Sequence, residues 1–349
     1  MRRIATMIAT TGLALALGPW QSASASEEVN IYSYREPGLI NPLLEEFTKQ
    51  TGIKVNSVYV DKGMLERLKA EGANSPADAV LTVDVGRLQD MAEADVLQPI
   101  KSAVVDKNIP AAYRHPENLW VGLTTRARVF IVSKDRVKPG TVTTYADLAD
   151  PKLKGKICSR SGKHDYNVSL IAAMIDRHGE AEAKKWLNGV KANLAQKPQG
   201  SDRSQAKSIM EGACDVALLN TYYVGHMTTN EKEPAQKQWI AAVTPVFPDQ
   251  AGRGAHVNIS GVALTKSSRN KANAMKLIEF LSEDLAQKMY AEANYEFPVK
   301  PGAPWHPLVA SWGSFKADAS GLMGVAKNRT AASKLVDETG FEGGAGSGS

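Results

Sequence analysis

The sequence is poor in the residues that most metal sites and many catalysts use. It has two cysteines, Cys158 and Cys214, and six histidines in 349 residues. The histidines are scattered, with no H-x-x-x-H or comparable ligand spacing, which argues against a zinc or manganese site. No G-x-S-x-G elbow and no P-loop occurs, so the common hydrolase and nucleotide motifs are missing. His164 stands beside Asp165, but neighbours in a loop are poor evidence for a catalytic dyad. The chain therefore reads as a protein that is not an enzyme. No dense basic run with interleaved aromatics appears, and no nucleic-acid surface is expected. Internal repeats are absent. The one long apolar run is N-terminal, Ile4 to Gly18, and it is short for a membrane span.

That run follows Arg2 and Arg3 and precedes Ala23-Ser24-Ala25, an A-x-A cleavage pattern. Residues 1–25 read as a signal peptide cleaved near Ala25. A lipid anchor needs a cysteine just after the apolar run, and the first is Cys158. The exported chain is expected to be soluble and not membrane-anchored. Loss of Arg2 and Arg3 takes the formal charge from +5 to +3. The remaining chain of about 320 residues exceeds one compact core and suggests two lobes. Two cysteines in an exported chain favour a Cys158–Cys214 disulfide. On unstaggered parallel strands they would be offset by about 10 Å, so pairing requires a stagger.

Strand and helix patterns alternate from the start. Val29 to Tyr34 reads as a strand, Leu39 to Gln50 as an amphipathic helix, and Gly52 to Val60 as a second strand. Met64 to Glu71 is a second helix. Ala79 to Val83 is a continuous apolar run suited to a buried parallel sheet. Arg87 to Ala94 returns as helix. This is the pattern of a doubly wound α/β lobe, in which ligands bind beyond the carboxyl ends of the strands. Tyr34, Arg35, Glu36 and Asp84 fall there. A second βα block begins with a strand from Gly155 to Arg160, and later helices include Val168 to His178 and Ser204 to Met210. Two long extended stretches, Trp120 to Val132 and Val257 to Leu264, are candidate crossings between lobes. Leu322 to Thr339 reads as a last helical segment. Residues 343–349 are rich in glycine and serine and read as a flexible tail.

Asn220-Thr221-Tyr222-Tyr223 follows the apolar run Asp215 to Leu219. Two adjacent tyrosines diverge on a strand or inside a helix, but they can converge at a strand-to-helix turn. Asn220 or Thr221 is a plausible N-cap there. Tyr166 sits at a similar turn in Ser161 to Asn167. A phenolate is a hard anionic oxygen donor suited to a hard cation such as Fe³⁺. The same local pattern also suits packing residues with satisfied hydroxyls. His226, one turn after Tyr222, reads as a solvent-facing helix position.

Taken together, these pieces resemble the periplasmic substrate-binding proteins of ABC importers, and specifically the ferric-ion-binding (Fbp/Fut-type, type II) family. The resemblance rests on Ile31 to Arg35, Leu81 to Asp84, Gly122 to Arg126, Arg160 to Gly162 with Tyr166-Asn167, and Asn220 to Tyr223. Asn258 to Gly261 and Tyr295 to Val299 match as well. It implies an α/β fold of two lobes, each a doubly wound sheet, joined by two crossing strands. The lobes would be divided as 26–125 and 258–300 for the N-lobe and 126–257 and 301–342 for the C-lobe. It further implies Fe³⁺ on Tyr166, Tyr222 and Tyr223, and a synergistic anion such as carbonate on Arg126. The protein would be a periplasmic monomer that passes iron to an ABC permease. Glu36-Pro37 stands where many relatives place His or His-Tyr. Glu36 is expected not to be an essential ligand, because three phenolates and a dianion already exceed the metal charge, and with Tyr34 it is expected in the surroundings of the metal. The competing readings are a receptor for an organic anion, thiamine, polyamine or sulfate on the same fold.

Overall fold

The computed structural model describes residues 27–346, so the signal-peptide reading and residues 347–349 lie outside it. Eleven strands are described: β1 (Glu28–Ser33), β2 (Lys54–Tyr59), β3 (Ala79–Thr82), β4 (Leu97–Gln98), β5 (Trp120–Ser133), β6 (Ile157–Cys158), β7 (Val216–Asn220), β8 (Val243–Val246), β9 (Ala255–Thr265), β10 (Phe297–Pro298) and β11 (Ala317–Asp318). The main path runs β2-β1-β3-β9-β5-β7-β6. β1 lies parallel to β2 and β3, and β6 parallel to β7. β9 is antiparallel to both β3 and β5.

The two long strands join the lobes. Trp120 to Ala127 of β5 pair with Ala263 to Val257 of β9. Beyond that point Arg128 to Val132 pair with β7, and Phe130 to Ser133 with β8. Every residue of β5 and β9 is buried, as expected for strands covered on both faces. Gly261 allows the close crossing, since a Cβ there would stand 2.6 Å from the Val121 carbonyl oxygen. One core surrounds β1 and β3 with helices Pro37–Thr51 and Lys271–Ser282, through Ile31, Ile40, Phe47 and Leu277. Another lies under β7 and includes Ile209, Leu219, Met227 and the two cysteines.

Several boundaries differ from the sequence reading. The strand expected over residues 155–160 is only Ile157–Cys158, because Ser159 and Arg160 already turn toward the Tyr166 helix. That helix starts at Asp165, with the His164 ring accepting from the Tyr166 backbone N–H. The last helical segment is two helices, Leu322–Lys327 and Arg329–Glu338. It breaks at Asn328, whose side chain donates to the Gly324 carbonyl. The glycine-rich ending is structured at its start, where Phe341–Gly343 forms a 3₁₀ turn.

Cys158 and Cys214 are bonded, with Cα atoms 5.8 Å apart. Cys158 opposes Ala217 across the β6–β7 pair. The strands are therefore paired without the stagger that the sequence reading required, and Cys214 reaches Cys158 from the turn that precedes β7, off the strand.

Candidate metal centre

The site grows from two helix starts in one lobe. β7 is fully buried and ends at Asn220, which caps helix Thr221–Thr228 through its backbone conformation. Its side chain is engaged elsewhere, accepting from Arg128 Nη1 at 3.1 Å. Thr221 Oγ1 accepts from the Ala127 N–H of β5, which fixes the turn against the crossing strand. Tyr222 and Tyr223 therefore leave the first turn together, with ring centroids 4.4 Å apart. Tyr166 occupies the first turn of helix Asp165–His178. The Tyr222 hydroxyl donates to the Tyr166 hydroxyl at 2.8 Å. All three phenols line one cavity of about 180 Å³, which also reaches Tyr34, Glu36, Arg126 and His226.

Burial raises the Tyr222 phenol well above its ordinary value and pushes Tyr223 up to about 12, with Tyr166 and Asp202 adding to both. These two phenols are protonated at neutral pH in the empty protein. The nearby imidazoles are neutral there too. Burial, with Arg160 beside one and Arg203 beside the other, brings His164 and His226 down to about 4.

Guanidinium groups surround the phenols. Arg126 is 3% exposed; its Nη2 donates to the Val83 carbonyl, while its Nη1 is buried without a partner. Arg203 lies over the Tyr223 ring at 4.8 Å, and Arg160 over the Tyr166 ring at 5.1 Å. Arg35 pairs with buried Glu296 at 2.9 Å. Burial would raise the Glu296 carboxyl, but Arg35 and Arg126 outweigh it and hold the group below the usual value. Asp202 is fully buried and accepts from Arg128, from Arg160 at 3.0 Å and from the Asn220 N–H at 3.0 Å. Five guanidiniums (Arg35, Arg126, Arg128, Arg160, Arg203) thus face three carboxylates (Glu36, Asp202, Glu296). The centre favours added negative charge.

Other expected residues have different roles. Tyr34 lines the cavity, but its hydroxyl accepts from the Met64 N–H at 2.9 Å and its ring lies under Arg87. Glu36 is exposed at the cleft edge. Asp84 is taken up by Gly86, Arg329, Ser169 and Asn258 and supports the fold. His226 is not solvent-facing as read from the sequence. It lines the cavity and meets the Tyr222 and Tyr295 rings edge-on.

Sequence reasoning missed Asp202, Arg203, Glu296 and Asn294. Asn294 is 1% exposed, lines the cavity and has neither amide atom partnered. Ser201 and Ser204 form a capping box that would have moved the helix start to Asp202. No local signal marks the others. Among the described residues no group of three or more His, Cys, Asp or Glu is placed to hold a metal ion, whereas the three phenols line one cavity.

The chain matches the family described as bacterial extracellular solute-binding protein over residues 32–288. It is 43% identical over 318 residues to iron uptake protein A1 of Synechocystis, covering 90% of this chain and 88% of the relative. The fold matches the ferric iron-binding protein A of Mannheimia haemolytica in an open conformation, at TM-score 0.85 and 54% identity, covering 90% and 99% of the two chains. A Trichodesmium protein solved with iron and citrate ligands matches at TM-score 0.86 and 43% identity, with the same coverage.

Proposed function

The chain belongs to the bacterial extracellular solute-binding proteins, and within that family we propose that it captures ferric iron in the periplasm and delivers it to an ABC permease. The observation that carries this reading is the convergence of Tyr166, Tyr222 and Tyr223 on one cavity, with two hydroxyls 2.8 Å apart. Three phenolates neutralise Fe³⁺, and ferric iron is acidic enough to displace their protons. The iron-related names of the relatives support the same cargo. An organic-cation receptor fits less well, because the centre carries excess guanidinium.

Arg126 would hold a synergistic anion beside the metal through its free Nη1. Carbonate is the anion that the family resemblance implies, and the citrate of the Trichodesmium complex is the alternative. Glu36 is not an essential ligand in this reading. Three phenolates and a dianion already exceed the metal charge, and Glu36 is exposed at the cleft edge. Tyr34 supports the cleft wall. The protein would act as a soluble monomer that closes about crossings near Thr124–Arg126 and Val257–Ile259, with lobes divided at those strands. Among the described residues no helix is long and apolar enough to cross a membrane.

The test is a visible spectrum of the protein titrated with ferric iron, with bicarbonate, with citrate and with neither. Tyrosinate coordination gives a charge-transfer band. Undiminished iron binding by the Tyr222→Phe, Tyr223→Phe double variant would refute the reading.

A further inference from the structure

Several contacts join the lobes, among them those of Asp84 with Arg329 and Ser169, and two of them end beside a phenol-bearing helix start. On one flank Tyr295, just after helix Asp284–Asn294, lies against Gly225. A Cβ on Gly225 would stand 2.2 Å from Tyr295 Cγ and 2.6 Å from its Cδ1, so only glycine admits the ring. The Tyr295 hydroxyl is 2.9 Å from Thr229 Oγ1, and its ring meets His226 with centroids 5.0 Å apart. Tyr295 itself is held at φ 54°, a left-handed conformation unusual for a side chain of its size. Gly225 lies three residues beyond Tyr222 in the same helix.

On the other flank Arg87, in the first turn of helix Val85–Glu93, donates Nη2 to Asp165 Oδ2 at 2.8 Å. Its guanidinium also covers the Tyr34 ring at 4.0 Å. Asp165 directly precedes Tyr166, and its other oxygen accepts from Arg329 at 3.2 Å. Arg87 and Tyr34 belong with β1 and β3, whereas Asp165 follows β6 in the opposite lobe.

We propose that these clasps, Tyr295 on Gly225 and Arg87 on Asp165, are positioning elements that hold the ligand-bearing helices against the opposite lobe and set how long iron stays bound. The inference rests on the ferric reading above. The three phenols sit in one lobe, so parting the cleft need not change their geometry. It does expose the metal to water and competing chelators. A clasp present only with the lobes together stabilises the closed population, and its loss raises the open fraction by the same factor. Neither clasp donates an atom to the metal.

The test uses Arg87→Met and Gly225→Ala, singly and together, in the full exported chain. Methionine keeps an apolar stem, and alanine is the better helix former, so neither change attacks the helices themselves. Iron transfer to excess chelator is followed by loss of the visible band, alongside solution scattering of the loaded proteins. Arg87→Met is expected to speed transfer by about two- to fivefold, the range for a partly exposed ion pair. The Gly225→Ala wedge is expected to speed it by about tenfold or more and to enlarge the loaded particle, because the ring contact cannot form. The band position stays that of the parent. Transfer rates within about twofold of the parent for Gly225→Ala and the double variant would overturn the proposal, as would a shifted band. If a variant folds poorly by thermal unfolding, Tyr295→Phe supplies the same comparison through the lost Thr229 contact. A parent with no band at all removes the ferric reading and the clasp role with it. Unchanged rates beneath a normal band remove the clasps alone.

Discussion

Asp202→Asn is the most informative single change outside the phenols. Asp202 has no solvent exposure and is the counter-charge for Arg128 and Arg160, whose side chains are 2% and 11% exposed. It also accepts the Asn220 N–H at the start of the Tyr222 helix. Asparagine keeps the shape but removes the charge, and its NH₂ must face a donor. Removing one partner of a buried pair costs about 3–5 kcal/mol, because the remaining charge stays desolvated. Arg128 retains Asn167 Oδ1 at 2.9 Å and Asn220 Oδ1 at 3.1 Å, so the lower end, about 3 kcal/mol, is expected. At about 2–4 °C per kcal/mol, the unfolding midpoint falls by roughly 6–12 °C. Thermal unfolding by circular dichroism measures it. The variant should also bind iron more weakly, since the turn that aims Tyr222 and Tyr223 loses an anchor. A midpoint within about 2 °C of the parent, with unchanged iron binding, would show that the arginines do not depend on this carboxylate.

Four other outcomes follow from the same geometry. Tyr223 has a folded value near 12 against about 10 unfolded. Its stabilising contribution is therefore complete below pH ~10 and lost as pH rises through ~12, which alkaline unfolding of the iron-free protein and of Tyr223→Phe will compare. Glu36→Gln should weaken iron binding less than Tyr166→Phe in a competition titration; the reverse order would place Glu36 in the metal shell. Replacing Cys158 and Cys214 together by serine should cost about 4 kcal/mol in denaturant unfolding, from the loop that their 56-residue separation closes; a loss under about 1 kcal/mol contradicts the chain-entropy account. Solution scattering should show the loaded protein no larger than the iron-free one, and an expansion on loading would contradict closure around the metal.

The alternation of strands and helices was legible in the chain because it rests on local periodicity. Met64–Glu71 and the crossing β5 lie where their apolar patterns put them. The phenol pair was legible too, because a strand-to-helix turn is a local event and Asn220 to Tyr223 spells it out. The partners of those phenols depend on long-range pairing. Asp202 matters through β5 and β7, and Glu296 through Arg35, 261 residues away. Neither residue carries a mark in its own neighbourhood. His226 was misread because a helix face is exposed or buried according to what stands opposite, and Tyr295 stands there. Cysteine spacing alone could not decide the disulfide. The strands pair without a stagger, and Cys214 reaches Cys158 from the turn before β7, outside any regular strand. Local sequence patterns specify the elements and the hard-oxygen donors. Tertiary structure decided which charges surround those donors and which groups cross the cleft, because both depend on residues brought together from distant parts of the chain.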